Sequence, residues 1–201
     1  MRVRTLLNPF SCQQRFEKAE WPTIFPDFQG TLAVEIGFGT GSFLVHYAER
    51  HPTHSLVGFE IRHRLVQQAE ASIAAAKLTN VHPVEGNGQY GLEDMFEDAS
   101  IDSVFIFHPD PWPKPRQQKR RVVTPAFIQL IERKLKPGGQ LFIATDVQEL
   151  WEFMNEIVTT TSQLTATNND VFWDNDYKTR WQEMTEEQNR SRFYGTFAKL
   201  F

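Results

Sequence analysis

A chain of 201 residues is long enough for one α/β domain with a substantial hydrophobic core. Its net charge of −4 excludes a basic nucleic-acid coat protein, so a nucleic acid would have to bind a local patch on an acidic body. The single cysteine, Cys12, excludes a disulfide within the chain. No apolar run approaches the roughly 18 residues of a membrane span, and the apolar stretch near the N-terminus is too short for a signal peptide. These features predict a cytoplasmic protein that does not enter a membrane.

The hydrophobic pattern alternates between short strands and helices after an irregular arm at residues 1–30. This alternation predicts one α/β domain at residues 31–201 with a doubly wound, mostly parallel sheet and an antiparallel C-terminal strand. The predicted strands are residues 31–36, 55–60, 81–85, 101–107, 140–145 and 193–201. The predicted helices are residues 42–50, 62–77, 125–134 and 150–158, with a weak helix that ends near residue 95. Residues 163–190 are polar and carry no clear pattern.

A glycine-rich turn, EIGFGTG at residues 35–41, follows the first predicted strand. Glycine lets the backbone turn sharply and approach a ligand closely. The dinucleotide pattern G-x-G-x-x-G would need a glycine at position 42, where this chain has Ser42. The offset disfavours an NAD-linked oxidoreductase. It favours the nucleoside-binding turn of Rossmann-like methyltransferases, in which an acid, here Glu35, precedes the first glycine.

Two further strand ends carry polar side chains that suit the same pocket. Glu60 ends the second predicted strand, where an acid can bind both hydroxyls of a ribose. Asn87 follows the third strand, where its amide could face an adenine ring. An acidic pocket also suits a cationic sulfonium better than a pyrophosphate.

The loop after the fourth predicted strand, FHPDPWPKPRQQKRR at residues 107–121, joins one acid to five cations. Prolines at alternate positions predict a stiff extended loop. Open α/β sheets bind ligands beyond the carboxyl ends of their strands, so Asp110 is a candidate site residue, although it could also cap the turn. We interpret Trp112 as packing the loop rather than stacking on a base. The cations suit phosphate groups, although a solvated basic loop would look the same; they are Lys114, Arg116, Lys119, Arg120 and Arg121.

Together these motifs resemble those of the bacterial tRNA (guanine-N7-)-methyltransferase family, a group of class I S-adenosylmethionine enzymes. The matching pieces are EIGFGTG at 35–41, GFE at 58–60, DPWPK with its basic run at 110–121, TD at 145–146 and the tail from Thr179. The resemblance covers almost all of the chain from residue 31 onward. It implies a Rossmann-like class I methyltransferase fold.

The resemblance also implies an S-adenosyl-L-methionine site, a tRNA substrate and methyl transfer to N7 of a guanine in the variable loop. The implied cofactor-binding residues are Glu35, Gly37, Gly39, Glu60, Asn87 and Asp110. The implied substrate-binding residues are Lys114, Arg116, Lys119, Arg120, Arg121, Asp146, Thr179, Arg180, Trp181 and Gln182. The family usually has a histidine where this chain has Gln117, and a glutamate where it has Gln182.

Asp110 is the predicted catalytic residue. Guanine N7 carries no proton, so Asp110 would act by electrostatics or by positioning the base rather than by proton abstraction. The six histidines show no metal-ligand spacing, and we predict no metal. The oligomeric state is open between a monomer and a homodimer. Two alternatives also stay open: a methyltransferase of a small molecule or protein with the basic loop as a lid, and a non-catalytic RNA-binding module.

Overall fold

The computed structural model describes residues 11–180, 182, 184 and 190–201. The helices are α1 (Trp21–Ile24), α2 (Ser42–Arg50), α3 (His63–Ala75), α4 (Gly88–Met95), α5 (Pro125–Lys134) and α6 (Gln148–Thr161). The strands are β1 (Leu32–Ile36), β2 (Ser55–Glu60), β3 (Val81–Glu85), β4 (Ile101–Phe107), β5 (Leu135–Thr145), β6 (Thr165–Thr167) and β7 (Phe193–Ala198). A 3-10 helix spans Pro115–Arg120 and a π-helix spans Phe172–Asp176. No helix in this described part of the chain is long and apolar enough to cross a membrane.

The seven described strands form one sheet in the order β3-β2-β1-β4-β5-β7-β6. Strands β1 to β5 pair in parallel, whereas β7 is antiparallel to both β5 and β6. The strand order reverses between β1 and β4, which places a crevice beyond their carboxyl ends. The predicted mostly parallel, doubly wound sheet with an antiparallel C-terminal strand is confirmed.

Buried side chains cover both faces of this sheet, as expected for parallel strands that read as continuous apolar runs. One core cluster lies between the sheet and α4, α5 and α6, with Leu92, Ile128 and Met154 at its centre. The other lies beneath α2, α3 and the π-helix and includes Leu44 and Phe172. The two layers of helices fix the strand ends, and the side chains at those ends therefore have defined positions.

Two stretches differ from the sequence predictions by more than the few residues at the ends of α3, α6 and β7. Strand β5 begins at Leu135 rather than residue 140, because the main chain of Gly138 and Gly139 pairs with Lys199 instead of forming a separate turn. The stretch at 163–190 contains β6 and the π-helix, in which Phe172 and Trp173 are buried. These aromatic residues lie in an irregular helical turn, so their spacing matches neither the helical nor the strand period.

The prediction of a stiff extended loop at residues 107–121 was wrong in its second half, because residues 115–120 form the 3-10 helix. The first half of the loop is also not extended throughout, because His108 and Trp112 have positive φ values. Pro115 begins the 3-10 helix at a first helical position, where a missing N–H is tolerated. The fixed φ of a proline suits a helix. A proline also favours an extended backbone at the residue before it, which here is Lys114, outside the helix. The loop therefore turns back towards the domain.

Residues 11–30 pack against the domain. The N–H of Ala19 donates to the carbonyl of Met95, and the ring of Phe16 packs edge-on against Phe59. Arg15 forms an ion pair with Asp94. The division into an arm at 1–30 and a domain at 31–201 stays a prediction, and residues 1–10 lie outside the described residues.

Candidate active site

The glycine turn closes over the end of β2. Gly37 and Gly41 have φ values of +79° and +76°, which L side chains rarely adopt. The N–H of Gly37 donates to the carbonyl of Phe59 at 2.8 Å. A Cβ at Gly41 would lie 2.7 Å from the Cβ of Ala69 on α3. The third glycine is therefore needed at position 41 for helix packing, whereas position 42 can hold a serine that starts α2.

Glu60 lies at the end of β2, with a side chain that is 2% exposed. Its Oε2 accepts the N–H of Gly39 at 3.1 Å. The guanidinium of Arg62 binds both carboxylate oxygens, with Nε to Oε1 and Nη2 to Oε2 each at 2.9 Å. Glu60 therefore occupies the predicted place, but with a partner that the sequence interpretation missed. An arginine two residues after an acid at a strand end was the available signal.

Glu35, on β1, is 3% exposed, and burial together with the charge of Glu60 raises its pKa well above the usual value. None of the described residues hydrogen-bonds its Oε2. Leaving such a buried atom without a partner costs about 1–3 kcal/mol. A ligand that brings a donor or a positive charge to this oxygen would therefore be stabilised. The two buried acids fit a cationic nucleoside, as the sequence predicts.

Asn87 lies at the carboxyl end of β3, where it caps α4. Its side-chain oxygen accepts the N–H of Gln89 at 3.0 Å. The ring of Phe16 covers the neighbouring Gly86, so that a Cβ on that glycine would collide with the ring. Phe16 thus closes the same edge of the crevice, although the irregular N-terminal pattern carried no signal for it.

Asp110 is half-buried just beyond β4. The hydrogen bonds that Arg62 donates to Glu60, and to a smaller extent the charge of Asp110, raise the pKa of Arg62. The carboxylate of Glu60 at the end of β2 is therefore the main partner of this guanidinium. Trp112 is 3% exposed, which agrees with a packing role. His108 and Trp112 have φ values of +46° and +42°, a strained conformation that persists only where the surrounding structure fixes it.

The basic run divides into exposed and buried cations. Lys114, Arg116 and Lys119 are exposed, and Arg120 is half-buried with its guanidinium 5.1 Å from the ring centroid of Trp112. The side chain of Arg121 is only 4% exposed. The guanidinium of Arg121 is turned into the protein, and its contact with RNA stays a prediction.

Arg121 instead fastens the loop. Its Nε donates to the carbonyl of Pro111 at 3.0 Å, and its Nη2 donates to Glu149 on α6 at 3.1 Å. The guanidinium also lies 4.5 Å from the ring centroid of Phe153. Since Pro111 directly follows Asp110, this arginine holds the main chain beside the predicted catalytic acid.

Asp146 follows β5 at the same edge of the sheet. His108 lies between Asp146 and Tyr177, with Nδ1 3.5 Å from the carboxylate and Nε2 2.6 Å from the tyrosine hydroxyl. Arg190 donates to the other carboxylate oxygen at 3.2 Å. The interaction with the neighbouring His108 imidazole is the largest cause that lowers the pKa of Asp146 to about 2. His108, Tyr177 and Arg190 therefore belong to the site, although no motif singled them out.

The tail reaches the glycine turn through Ser42. The N–H of Arg180 donates to the Ser42 hydroxyl at 3.2 Å, and the Arg180 side chain is exposed. Thr179 is 7% exposed, and its hydroxyl accepts the N–H of Gln182 at 2.9 Å. That hydroxyl is therefore engaged within the tail itself. Trp181 lies outside the described residues, so its predicted substrate contact has no location here.

A glycine turn after β1, acids at the carboxyl ends of β1, β2 and β4, and an antiparallel strand beside β5 define a class I, Rossmann-like methyltransferase. No group of three or more His, Cys, Asp or Glu side chains in the described ranges could hold a metal ion. The family Methyltransf_4 ("Putative methyltransferase") matches residues 29–197. The chain belongs to the tRNA (guanine-N(7)-)-methyltransferase family.

Two curated relatives show the extent of the match. The tRNA (guanine-N(7)-)-methyltransferase of Thermotoga maritima is 34% identical over 177 residues, which cover 87% of this chain and 55% of that protein. The Paracoccus denitrificans enzyme of the same name is 34% identical over 178 residues, or 88% of this chain and 75% of the relative. The chain spans about half the length of several of the curated relatives it matches.

Among solved structures, the 16S rRNA methyltransferase KamB superposes with a TM-score of 0.61 at 12% identity. The superposition covers 92% of this chain and 95% of that one. At so low an identity the likeness shows the fold alone.

Proposed function

We propose that this chain transfers the methyl group of S-adenosylmethionine to N7 of a guanine in the variable loop of tRNA. The observation that carries the proposal is the convergence of the strand-end acids and the DPWPK loop at one edge of the sheet. The names of the Thermotoga and Paracoccus relatives support the choice of tRNA and of guanine N7. We further propose a cytoplasmic enzyme that acts as a monomer or a homodimer.

The residues at the ends of β1 to β3 fit the methyl donor. S-adenosylmethionine supplies a methyl group that its sulfonium activates. Glu60 would accept hydrogen bonds from the ribose hydroxyls, and Glu35 would offer a buried carboxylate oxygen to a positively charged group. Asn87 would face the adenine base. Gly37 and Gly39 leave room for a close approach, since a Cβ at either position would meet nothing within 4 Å.

The acceptor chemistry needs orientation rather than a base. Guanine N7 has an exposed lone pair and no proton, so the chain has only to hold it in line with the activated methyl group. Positive charge then develops on the base. Asp110 would stabilise that charge, or would hold the Watson–Crick edge by accepting from N1–H and N2–H.

The exposed cations of the loop suit the phosphate backbone of RNA. Lys114, Arg116 and Lys119 would position the tRNA without reading its sequence, and Arg120 would extend their patch. Asp146 and the exposed Arg180 would contact the substrate from the far side of the crevice. The target guanine would then be selected largely by the shape of the RNA.

The test incubates the purified protein with radiolabelled S-adenosylmethionine and an unmodified tRNA transcript, and then maps N7-methylguanine by chemical cleavage. We expect label at one variable-loop guanine, and no label when that guanine is replaced by adenine. Label only on protein or small molecules would instead support a methyltransferase of a small molecule or protein, with the basic loop as a lid. RNA binding without any methyl transfer would indicate a binding module, and either result would overturn the proposal.

A further inference from the structure

The carboxylate of Glu60 already has a full set of donors. Oε1 accepts the backbone N–H of Arg62 at 3.0 Å and its Nε at 2.9 Å. Oε2 accepts Nη2 of the same arginine at 2.9 Å and the N–H of Gly39 at 3.1 Å. An ionised carboxylate has about four lone-pair sites. A ribose diol that binds Glu60 must therefore take positions that the structure gives to other donors.

Of these donors, only the guanidinium can leave without unfolding the site. The N–H groups of Gly39 and Arg62 belong to the main chain of the turn and of the segment that leads into α3. The Arg62 side chain is 34% exposed, whereas that of Glu60 is 2% exposed. The guanidinium can therefore rotate towards solvent while Glu60 stays in place.

We propose that Arg62 competes with the nucleoside for Glu60 and so sets how tightly the protein binds its methyl donor and the demethylated product. The identity of the ligand, a nucleoside with a vicinal diol, rests on the proposed function. Binding replaces two charge-assisted N–H bonds with two bonds from hydroxyl groups, so part of the binding free energy is spent on displacing the arginine. The same competition favours release of the product after transfer.

The experiment titrates S-adenosylhomocysteine into the full chain by calorimetry. Arg62→Ala should bind it about 5- to 20-fold more tightly than the unmodified protein, and Arg62→Lys should lie between them, since ammonium cannot form the paired contact. The matched control is Arg64→Ala, because Arg64 is an exposed arginine on α3. It should change the affinity by less than about twofold. A 2′,3′-dideoxy analogue of S-adenosylhomocysteine lacks the diol and should show no tightening in any variant.

Arg62→Gln provides a second variant in case Arg62→Ala leaves Glu60 too poorly compensated to fold. Unchanged or weaker binding of S-adenosylhomocysteine by the folded Arg62 variants would overturn the inference and leave the proposed function standing. If the unmodified protein does not bind S-adenosylhomocysteine, the proposed function fails and the inference fails with it. The Arg62 Nε–H signal in NMR spectra should also shift on addition of S-adenosylhomocysteine, because displacement changes its hydrogen-bond partner.

Discussion

The two halves of the site are built in different ways. The nucleoside half consists of the glycine turn with Glu35 and Glu60. Its contacts come from residues just after the strands, since Gly39 follows β1, Arg62 follows β2, and both donate to Glu60. In the loop half, Asp110 to Arg121 with Asp146, the anchors come from distant parts of the chain. Tyr177 binds His108 across 69 positions, and Arg190 binds Asp146 across 44. Local turn chemistry therefore shapes the binding pocket, whereas packing of the second half of the chain shapes the loop.

The largest expected effect lies in the loop half. Asp110→Ala should lower the single-turnover rate of methyl transfer to tRNA by about 100-fold or more, because removing one group that stabilises developing charge typically costs that much. Circular dichroism checks that the fold is intact. Asp110→Asn separates the two roles of the acid, since the amide can still accept a hydrogen bond but carries no charge. Near-normal turnover in Asp110→Ala would remove this residue from the mechanism.

A smaller effect separates the buried arginine from the exposed one. Arg121→Lys lacks the guanidinium that donates at once to the carbonyl of Pro111 and to the carboxylate of Glu149. It should lower turnover by roughly tenfold without changing the salt dependence of tRNA binding. Arg116→Ala should instead weaken tRNA binding and flatten its dependence on log salt concentration by about 0.7 for each lost phosphate contact. If Arg121→Lys alters the salt dependence as much as Arg116→Ala does, the assignment of Arg121 as a loop anchor is wrong.

In the nucleoside half, burial of the Glu35 carboxyl should make the stability of the protein depend on pH. Burial, with the charge of Glu60, raises the pKa of Glu35 above 4.5, so the folded protein retains a proton that the unfolded chain releases. The free energy of unfolding therefore falls as the pH rises from 4.5 through the raised pKa of Glu35. Glu35→Gln removes this dependence. By urea unfolding it should be about 1–3 kcal/mol more stable than the unmodified protein at pH 8, with little difference near pH 4.5.

The same variant should bind S-adenosylmethionine more weakly, since it lacks the carboxylate that a cationic ligand needs. A stabilisation of equal size at both pH values would contradict the assignment, because it would not depend on the ionisation of Glu35.

The smallest effect tests a single long-range anchor. Tyr177→Phe removes the hydroxyl that lies 2.6 Å from Nε2 of His108, and should lower the free energy of unfolding by about 1–2 kcal/mol. Turnover should fall a fewfold, and the affinity for S-adenosylhomocysteine should stay unchanged, because the nucleoside half does not depend on this contact. Tyr194→Phe is the control, since Tyr194 is 40% exposed. A loss of S-adenosylhomocysteine affinity in Tyr177→Phe would show that the two halves are coupled.

Particular residues show how far the sequence could be interpreted. The short apolar stretches at residues 55–60 and 101–107 predicted β2 and β4 with the bounds that the structure has. The aromatic residues of the π-helix escaped prediction because their irregular backbone has no regular side-chain period. Arg62 also escaped, because its place two residues after an acid at a strand end was the available signal, and that spacing does not by itself show that the two side chains bind each other.

The sequence by itself determined the order of strands and helices, the glycine turn and the positions of Glu35, Glu60, Asn87 and Asp110 at strand ends. These features depend on local conformational preference and on the pattern of apolar and polar residues, which short stretches of chain encode. Only the tertiary structure decided which charges face outward. Arg121 follows Lys119 and Arg120 directly, yet it turns inward because Glu149 on α6, far along the chain, partners its charge. A buried charge needs such a partner, and that partner is fixed by folding rather than by neighbouring residues.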